Sequence, residues 1–106
     1  MTAEKSYEKG VLTVRLYGEL DHHTASEIRE ELDMEIDSRA IKKLVMDFGD
    51  VGFMDSSGIG VIVGRYKKLD AIGGELVLIN LSPQLDKILE ISGIKRIIRC
   101  EGDRDE

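Results

Sequence analysis

An apolar strand that leads through a serine and glycine segment into a helix is the feature that most constrains this chain. Leu44–Phe48 is apolar and strand-like, and Phe53–Gly60 follows it and opens a stretch with helical spacing. Apolar side chains recur there at steps of three and four, at Ile59, Ile62, Val63, Tyr66 and Leu69. Asp55 or Ser56 can cap this helix, because a short side-chain oxygen accepts hydrogen bonds from the free N–H groups of the first turn. The segment therefore predicts two serine hydroxyls, those of Ser56 and Ser57, at a helix N-terminus beside a carboxylate.

Strand and helix patterns alternate along the rest of the chain. Strands are predicted at Lys5–Tyr7, Val11–Leu16, Ile41–Phe48, Glu75–Ile79 and Ile94–Cys100. Helices are predicted at Ala25–Asp37, at Ser57–Asp70, and from the start signal Ser82-Pro83 to Gly93. Such alternation implies β-α-β crossovers. We therefore expect an α/β fold with a mixed, mostly parallel β-sheet, an antiparallel N-terminal strand and about three to four α-helices.

Two loops are expected at the same end of that sheet. In a parallel sheet, the loops that follow the strands gather at the carboxyl edge. Glu19–Thr24 follows the second predicted strand and Asp50–Ser57 follows the central one. Thr24 and Glu27 have the spacing of a capping box, in which each side chain satisfies a free N–H group at the start of a helix.

Size and charge narrow the function classes. The chain has 106 residues, which is one domain over 1–106, and we expect its acidic tail, 101–106, to be frayed. The net charge of −6 argues against nucleic acid as a partner, because phosphate backbones require a basic surface. No apolar run is long enough to span a membrane, and the N-terminus lacks a hydrophobic signal core. With Cys100 as the single cysteine, a reduced cytoplasmic setting is the simplest interpretation.

The same motifs carry a family resemblance. Phe53–Lys67 resembles the signature of the anti-sigma factor antagonists, which have the STAS fold, and is most similar to the sporulation members that release sigma F. Gly18–Ala25 and Ser92–Ile94 match the same family, so the resemblance extends from about the first strand to about Cys100. Close relatives are expected to have a further C-terminal helix beyond the position of Glu106, and the contacts of such a helix are not carried over to this chain.

The resemblance implies a binding protein and kinase substrate, not an enzyme. The unphosphorylated form would bind an anti-sigma factor that is also a serine kinase, and so release the sigma factor without contacting nucleic acid. The kinase would use its own ATP and Mg²⁺ to phosphorylate Ser57, and a serine phosphatase would restore the active form. This scheme gives the chain itself no cofactor and no metal. The nearest alternative within the family is an antagonist in a general-stress sigma pathway.

The resemblance also implies which residues face the partner. They are Asp21, His22, Thr24, Asp55, Ser56, Gly58, Ile59 and Gly60. Asp21 is the candidate to pair with a basic residue of the kinase, and Asp55 is expected to hold the serine loop and the helix cap.

Electrostatics predicts whether phosphorylation of Ser57 strengthens or weakens binding to the partner. A phosphate on Ser57 adds about 1.5–2 negative charges. The helix N-terminus favours that charge by about 0.3–1 kcal/mol and Asp55 opposes it by a comparable amount, so the domain should stay folded. A dianion in a tight interface costs several kcal/mol unless a cation meets it, which is enough to dissociate a complex. If Ser56 were the cap, Ser57 would be the freer hydroxyl. The residues alone leave the choice of serine open, and the resemblance selects Ser57.

A small serine hydrolase is the main chemical alternative. Ser57 or Ser56, His22 or His23, and Asp21 supply the residue types of a catalytic triad, in loops predicted at one end of the sheet. Met54, however, occupies the position where a G-x-S-x-G nucleophile elbow requires glycine.

Two further patterns, one for a dinucleotide and one for Mg²⁺, are weaker evidence of binding. The glycines at 58, 60 and 64 are spaced as in a dinucleotide fingerprint, but a long loop, Gly49–Asp55, is predicted in place of the tight strand-to-helix turn, and the next strand ends near Asn80 without an acidic residue. Four strand-end aspartates could surround Mg²⁺, although such residues are usually solvated or cap helices. They are Asp21, Asp47, Asp50 and Asp55.

Two expectations concern residues outside the candidate site. Arg65, Lys67 and Lys68 are expected on the solvent-exposed face of the central helix. Cys100 is expected to be a small, buried apolar residue.

Overall fold

The computed structural model describes residues 1–101, in which strands and helices alternate. The strands are β1 (Thr2–Glu8), β2 (Val11–Leu20), β3 (Lys43–Met54), β4 (Glu75–Ile79) and β5 (Arg99–Glu101). The helices are α1 (Ala25–Ser38), α2 (Ser56–Ala71) and α3 (Pro83–Ile91), with a short 3₁₀ helix at Ile94–Arg96. The sheet has the order β1-β2-β3-β4-β5, with β1 antiparallel to β2 and the other pairs parallel. The predicted α/β fold is confirmed.

The sheet order determines where the helices lie. From β2 to β5 each strand is placed beside the one before it, always in the same direction across the sheet. Because β-α-β crossovers are right-handed, α1, α2 and α3 then pack on the same face. We call the other side of the sheet the helix-free face. None of the helices in residues 1–101 has the length and apolarity needed to cross a membrane.

The core lies between the helices and one face of the sheet. Alternate residues of the central strands point into it, among them Leu12, Val14 and Leu16 of β2 and Leu44, Met46 and Phe48 of β3. The helices contribute side chains at steps of three and four, such as Ile28, Leu32 and Ile36 of α1. Cys100 was expected to be buried; it is half-buried and packs against this core, and burial raises the pKa of its thiol.

The hairpin between β1 and β2 closes with a two-residue turn. Lys9 and Gly10 both have positive φ, 53° and 86°, which is the geometry of the turn whose twist matches that of paired strands. β1 is longer than the predicted Lys5–Tyr7, because pairing with β2 runs from Glu8↔Val11 to Thr2↔Tyr17.

The central strand is also longer than predicted. β3 continues to Met54, so most of the expected loop Gly49–Asp55 is strand. Pairing with β2 persists through two register shifts, between Arg15 and Tyr17 and between Gly18 and Glu19. These irregularities interrupt the alternation of apolar and polar residues, which is why a periodicity of two ends at Phe48 in the sequence.

The end of the chain differs from the prediction as well. The expected strand Ile94–Cys100 is a 3₁₀ helix followed by β5, because Ile94 lies in the core and Gly93, with φ 84°, turns the chain there. Glu101 is the last residue of β5, although it was expected in a frayed tail. The rest of that predicted tail, 102–106, lies outside the described residues.

Arg65 corrects the expectation for the exposed face of α2. It is only 6% exposed, since it follows Val61 and Ile62 by one turn on the side of α2 that packs inward. Its Nε lies 2.9 Å from Oδ1 of Asp33 on α1. Burial lowers the pKa of the Arg65 guanidinium, and the Asp33 carboxylate opposes that shift. Lys68 is partly exposed and pairs with Asp37 at 2.9 Å, so two ion pairs join α1 to α2.

Candidate docking site

The turn between β3 and α2 consists of one residue. β3 ends at Met54, α2 begins at Ser56, and Asp55 between them has an extended backbone, with φ −116° and ψ −166°. Asp55 Oδ1 accepts a hydrogen bond from the Ser57 N–H group at 2.8 Å. Asp55 is therefore the N-cap, and of the two candidates Ser56 does not fill that role. Neither serine hydroxyl is needed to start the helix. Ser56 is exposed and Ser57 is half-buried, so the condition under which Ser57 would be the freer hydroxyl, a cap at Ser56, does not hold.

The turn between β2 and α1 is organised by Asp21. Its Oδ1 accepts from the N–H groups of His23 at 2.9 Å and Thr24 at 3.2 Å, and its carbonyl oxygen accepts from Ala25 at 2.8 Å. Desolvation acts to raise the pKa of the Asp21 carboxyl, but hydrogen bonds from the N–H groups of His23 and Thr24, the Thr24 hydroxyl and the nearby His23 ring lower it, and the net pKa lies below its ordinary value. Asp21 is thus held as a carboxylate at the surface.

Thr24 does not form the predicted capping box with Glu27. Its backbone is already helical, with φ −104° and ψ −16°, so its hydroxyl cannot reach the N–H groups of the first turn. The hydroxyl donates instead to the Glu19 carbonyl oxygen at 2.9 Å and accepts from the Asp21 N–H group at 3.1 Å. Thr24 therefore closes the β2–α1 turn from within.

The two turns adjoin, as the sheet topology predicts. Leu20 pairs with Met54 at the ends of β2 and β3, and the Asp55 N–H group donates to the Leu20 carbonyl oxygen at 3.3 Å. Gly58 fits closely against this junction. A Cβ atom at Gly58 would lie 2.4 Å from Met54 Cγ and 2.9 Å from the Leu20 carbonyl oxygen. Only glycine lets α2 approach the end of β2 this closely.

Gly60 and Gly64 differ from Gly58. A Cβ atom at either position would have no neighbouring atom within 4 Å. Together with Ser56 they are spaced by four residues, so they form one bare strip along the outward side of α2. Ile59 lies beside this strip and is half-buried. We call the end of the molecule formed by residues 19–24 and 52–60 the docking end.

The docking end contains the residue types of a triad but not the arrangement. The rings of His22 and His23 lie against each other, with centroids 4.0 Å apart. The Asp21 carboxylate bonds to backbone N–H groups and not to an imidazole. Within residues 1–101 no hydrogen bond joins either histidine to Ser56 or Ser57. The geometry gives no support to nucleophilic catalysis.

The carboxylates considered for Mg²⁺ have separate partners. Asp47 Oδ1 accepts from the Gly49 N–H group at 2.9 Å and from the Asn80 amide at 3.0 Å. Asp50 pairs with Arg15 at 2.8 Å. Asp21 and Asp55 each hold their own turn.

The glycines of the dinucleotide pattern follow the one-residue turn between β3 and α2. The turn before α2 is tight, not a long loop as predicted, so its length is compatible with a dinucleotide fingerprint. Asn80 follows β4 where a ribose-binding acid would stand, and its amide donates to Asp47. Gly58 packs against protein atoms in place of a ligand.

The sequence pattern missed one feature of this end. Phe53 was expected in the loop Gly49–Asp55, but it lies on β3 and its large apolar side chain is 42% exposed. Its register partner Glu19 on β2 is exposed too, and this pairing could not be foreseen without the irregular register of β2 and β3.

Comparison with known proteins gives the family. A STAS domain family model matches residues 3–106. An anti-sigma F factor antagonist of Paenibacillus polymyxa is 42% identical over 95 residues, which cover 90% of this chain and 81% of the relative. An anti-sigma-B factor antagonist of Bacillus subtilis is 38% identical over 87 residues, which cover 82% of this chain and 78% of the relative.

Two solved structures of SpoIIAA are similar to this chain in sequence and fold. The anti-sigma factor antagonist SpoIIAA in its unphosphorylated form has a TM-score of 0.83 at 30% identity, with 98% of this chain and 91% of the other covered. The phosphorylated form of Bacillus SpoIIAA has a TM-score of 0.75 at 30% identity, with 98% and 95% covered. The chain therefore belongs to the STAS domain family and, within it, to the anti-sigma factor antagonists.

Proposed function

We propose that the unphosphorylated protein binds, through its docking end, an anti-sigma factor that is itself a serine kinase, and so releases the sporulation sigma factor sigma F. Phosphorylation of Ser57 reverses the binding, and a serine phosphatase restores it. The observation that carries this proposal is the first turn of α2, where Ser57 lies beside a strip of α2 that no protein atom covers. In this scheme the protein is a binding partner and substrate, not an enzyme, and acts in the cytoplasm.

The bare strip supports docking rather than internal packing. Glycine in a helix interior costs about 1 kcal/mol relative to alanine, so Gly60 and Gly64 lower the stability of α2 without improving its fit to the core. A surface without side chains lets a partner's backbone approach closely. Ser56, Gly60 and the neighbouring Ile59 would form this contact.

Asp21 and His22 supply the second half of the docking end. Within the described residues, the hydrogen bonds of the Asp21 carboxylate use Oδ1, which leaves Oδ2 to accept from a basic residue of the kinase. The low pKa of Asp21 keeps it charged for such a pair. Thr24 and Asp55 act indirectly, because each holds the turn that presents its neighbours.

Phosphate on Ser57 would change the interface more than the fold. The Ser57 N–H group is already taken by Asp55, so the phosphate would meet only part of the helix N-terminus and would be repelled by the Asp55 carboxylate. A dianion beside the bare strip would have to be desolvated on docking, at a cost of several kcal/mol without a partner cation. The complex should then dissociate. The 30% identity to SpoIIAA, a protein solved in both phosphorylation states, supports a role for this modification.

The kinase reaction itself identifies the serine. We expect ATP, Mg²⁺ and the cognate anti-sigma kinase to add one phosphate, detected by intact mass. Ser57→Ala should abolish the addition, and the matched control Ser56→Ala should leave it in place. Phosphate on Ser56 in the parent protein would contradict the assignment.

A charge substitution tests the switch. Ser57→Asp should weaken binding to the kinase by at least about tenfold, measured by calorimetry, while the melting temperature changes little. Unchanged affinity would refute the proposed switch. If the protein were instead a hydrolase, it would turn over an activated ester alone, and His22→Ala would stop that turnover.

A general-stress pathway is the second candidate. The 38% identity to the anti-sigma-B factor antagonist of Bacillus subtilis favours it. Binding measured against purified sigma F and sigma B anti-sigma factors separates the two, and we expect the tighter complex with the sigma F partner.

A further inference from the structure

Phe53 is the large aromatic side chain at the docking end, and it faces away from the core. It is 42% exposed, whereas Val51 and Met54 on the same strand are 5% and 2% exposed. Phe53 pairs in register with Glu19, and Leu20 pairs with Met54. Register partners on adjacent strands point to the same face, so Phe53 and Glu19 share the helix-free face while Leu20 and Met54 enter the core.

The fold gains little from an aromatic residue at this position. Phe53 belongs neither to the buried core nor to the partly buried side chains packed against it. A single exposed apolar residue is common on protein surfaces and does not by itself indicate a binding site. Phe53 differs by its place, since it precedes the Asp55 cap by two residues and pairs with the strand that leads into the Asp21 turn. It is therefore continuous with both halves of the docking end.

Three acidic residues lie near Phe53 along the two strand ends. Glu19 is its register partner on β2, Asp21 is the first residue after β2, and Asp55 is the first residue after β3. Arg15, which lies on the same face of β2 as Glu19, is bound to Asp50 at 2.8 Å and so does not offset them. An aromatic side chain within a charged, solvated rim is the usual anatomy of an interface hot spot.

We propose that the docking surface continues from α2 onto the helix-free face, where Phe53 enters an apolar pocket of the anti-sigma factor whose rim carries lysine or arginine side chains. Glu19 pairs with that rim and keeps the aromatic ring aligned. This inference rests on the proposed function and adds a contact that lies outside the Ser57 switch.

The test compares Phe53 with a control of similar exposure. Phe53→Ala should weaken binding to the anti-sigma factor by roughly tenfold to a hundredfold, and Phe53→Leu should weaken it much less. Ile97→Ala is the matched control, because Ile97 is 54% exposed and precedes β5 at the amino edge of the sheet, away from the docking end. It should leave the affinity unchanged. Melting temperatures of all three variants are measured beside the affinities.

Charge at the rim is tested separately. Glu19→Lys should weaken the complex further than Glu19→Gln, and the parent complex should weaken as salt is raised, with a smaller salt dependence in Glu19→Gln. Equal salt dependence in parent and Glu19→Gln would overturn the basic rim.

The outcomes separate this inference from the proposed function. If Phe53→Ala binds as tightly as the parent while Ser57→Asp binds weakly, the Phe53 contact is refuted and the switch stands. If neither variant changes binding, the docking end itself is wrong. If Phe53→Ala fails to fold, Phe53→Gln takes its place, and parental affinity in that folded variant again refutes the inference.

Discussion

The two sides of α2 use the same residue type for opposite purposes. On the inward side, Gly58 lies against the end of β2 with no space for a methyl group. On the outward side, Gly60 and Gly64 face open space. The first glycine is required by the fold, whereas the other two weaken the helix and expose its backbone. A single motif therefore combines a structural requirement with a binding surface, and the residue type alone does not distinguish them.

Arg65 adds a charged residue to the inward side. It is buried beside Asp33, and its Nη1 has no hydrogen-bond acceptor within the described residues. A buried, incompletely satisfied cation stabilises little by itself, but removing its counter-charge is costly. The inward side is thus sensitive to change in ways that the outward side is not.

Gly58→Ala should have the largest effect on stability. Its Cβ would press on Met54, which is buried, and on the Leu20 carbonyl oxygen, which cannot move without displacing β2. We expect a loss of about 2–3 kcal/mol in the free energy of unfolding, measured by urea denaturation. A loss below about 0.5 kcal/mol would show that the α2 contact with β2 is looser than the structure indicates.

Asp33→Ala should have an intermediate effect. The substitution leaves the Arg65 guanidinium buried without its counter-charge. We expect the free energy of unfolding to fall by about 1–2 kcal/mol. This is less than the loss for a fully buried pair, because the Asp33 side chain is 31% exposed. The matched variant Arg65→Met leaves the Asp33 carboxylate, which is more exposed than the Arg65 guanidinium, without its counter-charge and should cost less. Equal losses in the two denaturation curves would contradict this asymmetry.

Gly60→Ala should have the smallest effect and the opposite sign. Added helix propensity should raise the free energy of unfolding by about 0.5–1 kcal/mol, since the methyl group meets no atom. The same methyl group should weaken binding to the anti-sigma factor, measured by calorimetry on the same sample. A variant that is both more stable and equally tight in binding would remove the bare strip from the docking surface.

Much of the fold could be predicted because local patterns agree with it. The Ser82-Pro83 start signal is confirmed by the Ser82 hydroxyl, which accepts from the Leu85 N–H group at 3.2 Å. The alternation of strands and helices implied the parallel sheet and the meeting of two turns at one end. These predictions depend on periodicity and capping, which neighbouring residues in the chain decide.

The errors share a cause. Thr24 and Glu27 have the spacing of a capping box, yet Thr24 bonds to Glu19 because the chain leaves β2 in a turn closed by Asp21. Arg65 has a charged side chain, which favours an exposed position, but it faces a carboxylate on another helix. For Arg65 the partner is distant in sequence, and for Thr24 the path of the chain out of β2 places other partners within reach, so in both cases the packed structure outweighs the local preference.

The sequence by itself determined the α/β class, the helix that carries Ser57, and the resemblance to the anti-sigma factor antagonists. Only the tertiary structure decided that Asp55 is the cap, that Gly58 is packed while Gly60 is bare, and that Phe53 lies on the helix-free face. The physical reason is that helix and strand periods are set by short-range sterics and hydrogen bonding, whereas burial and open space exist only once separate elements are packed together.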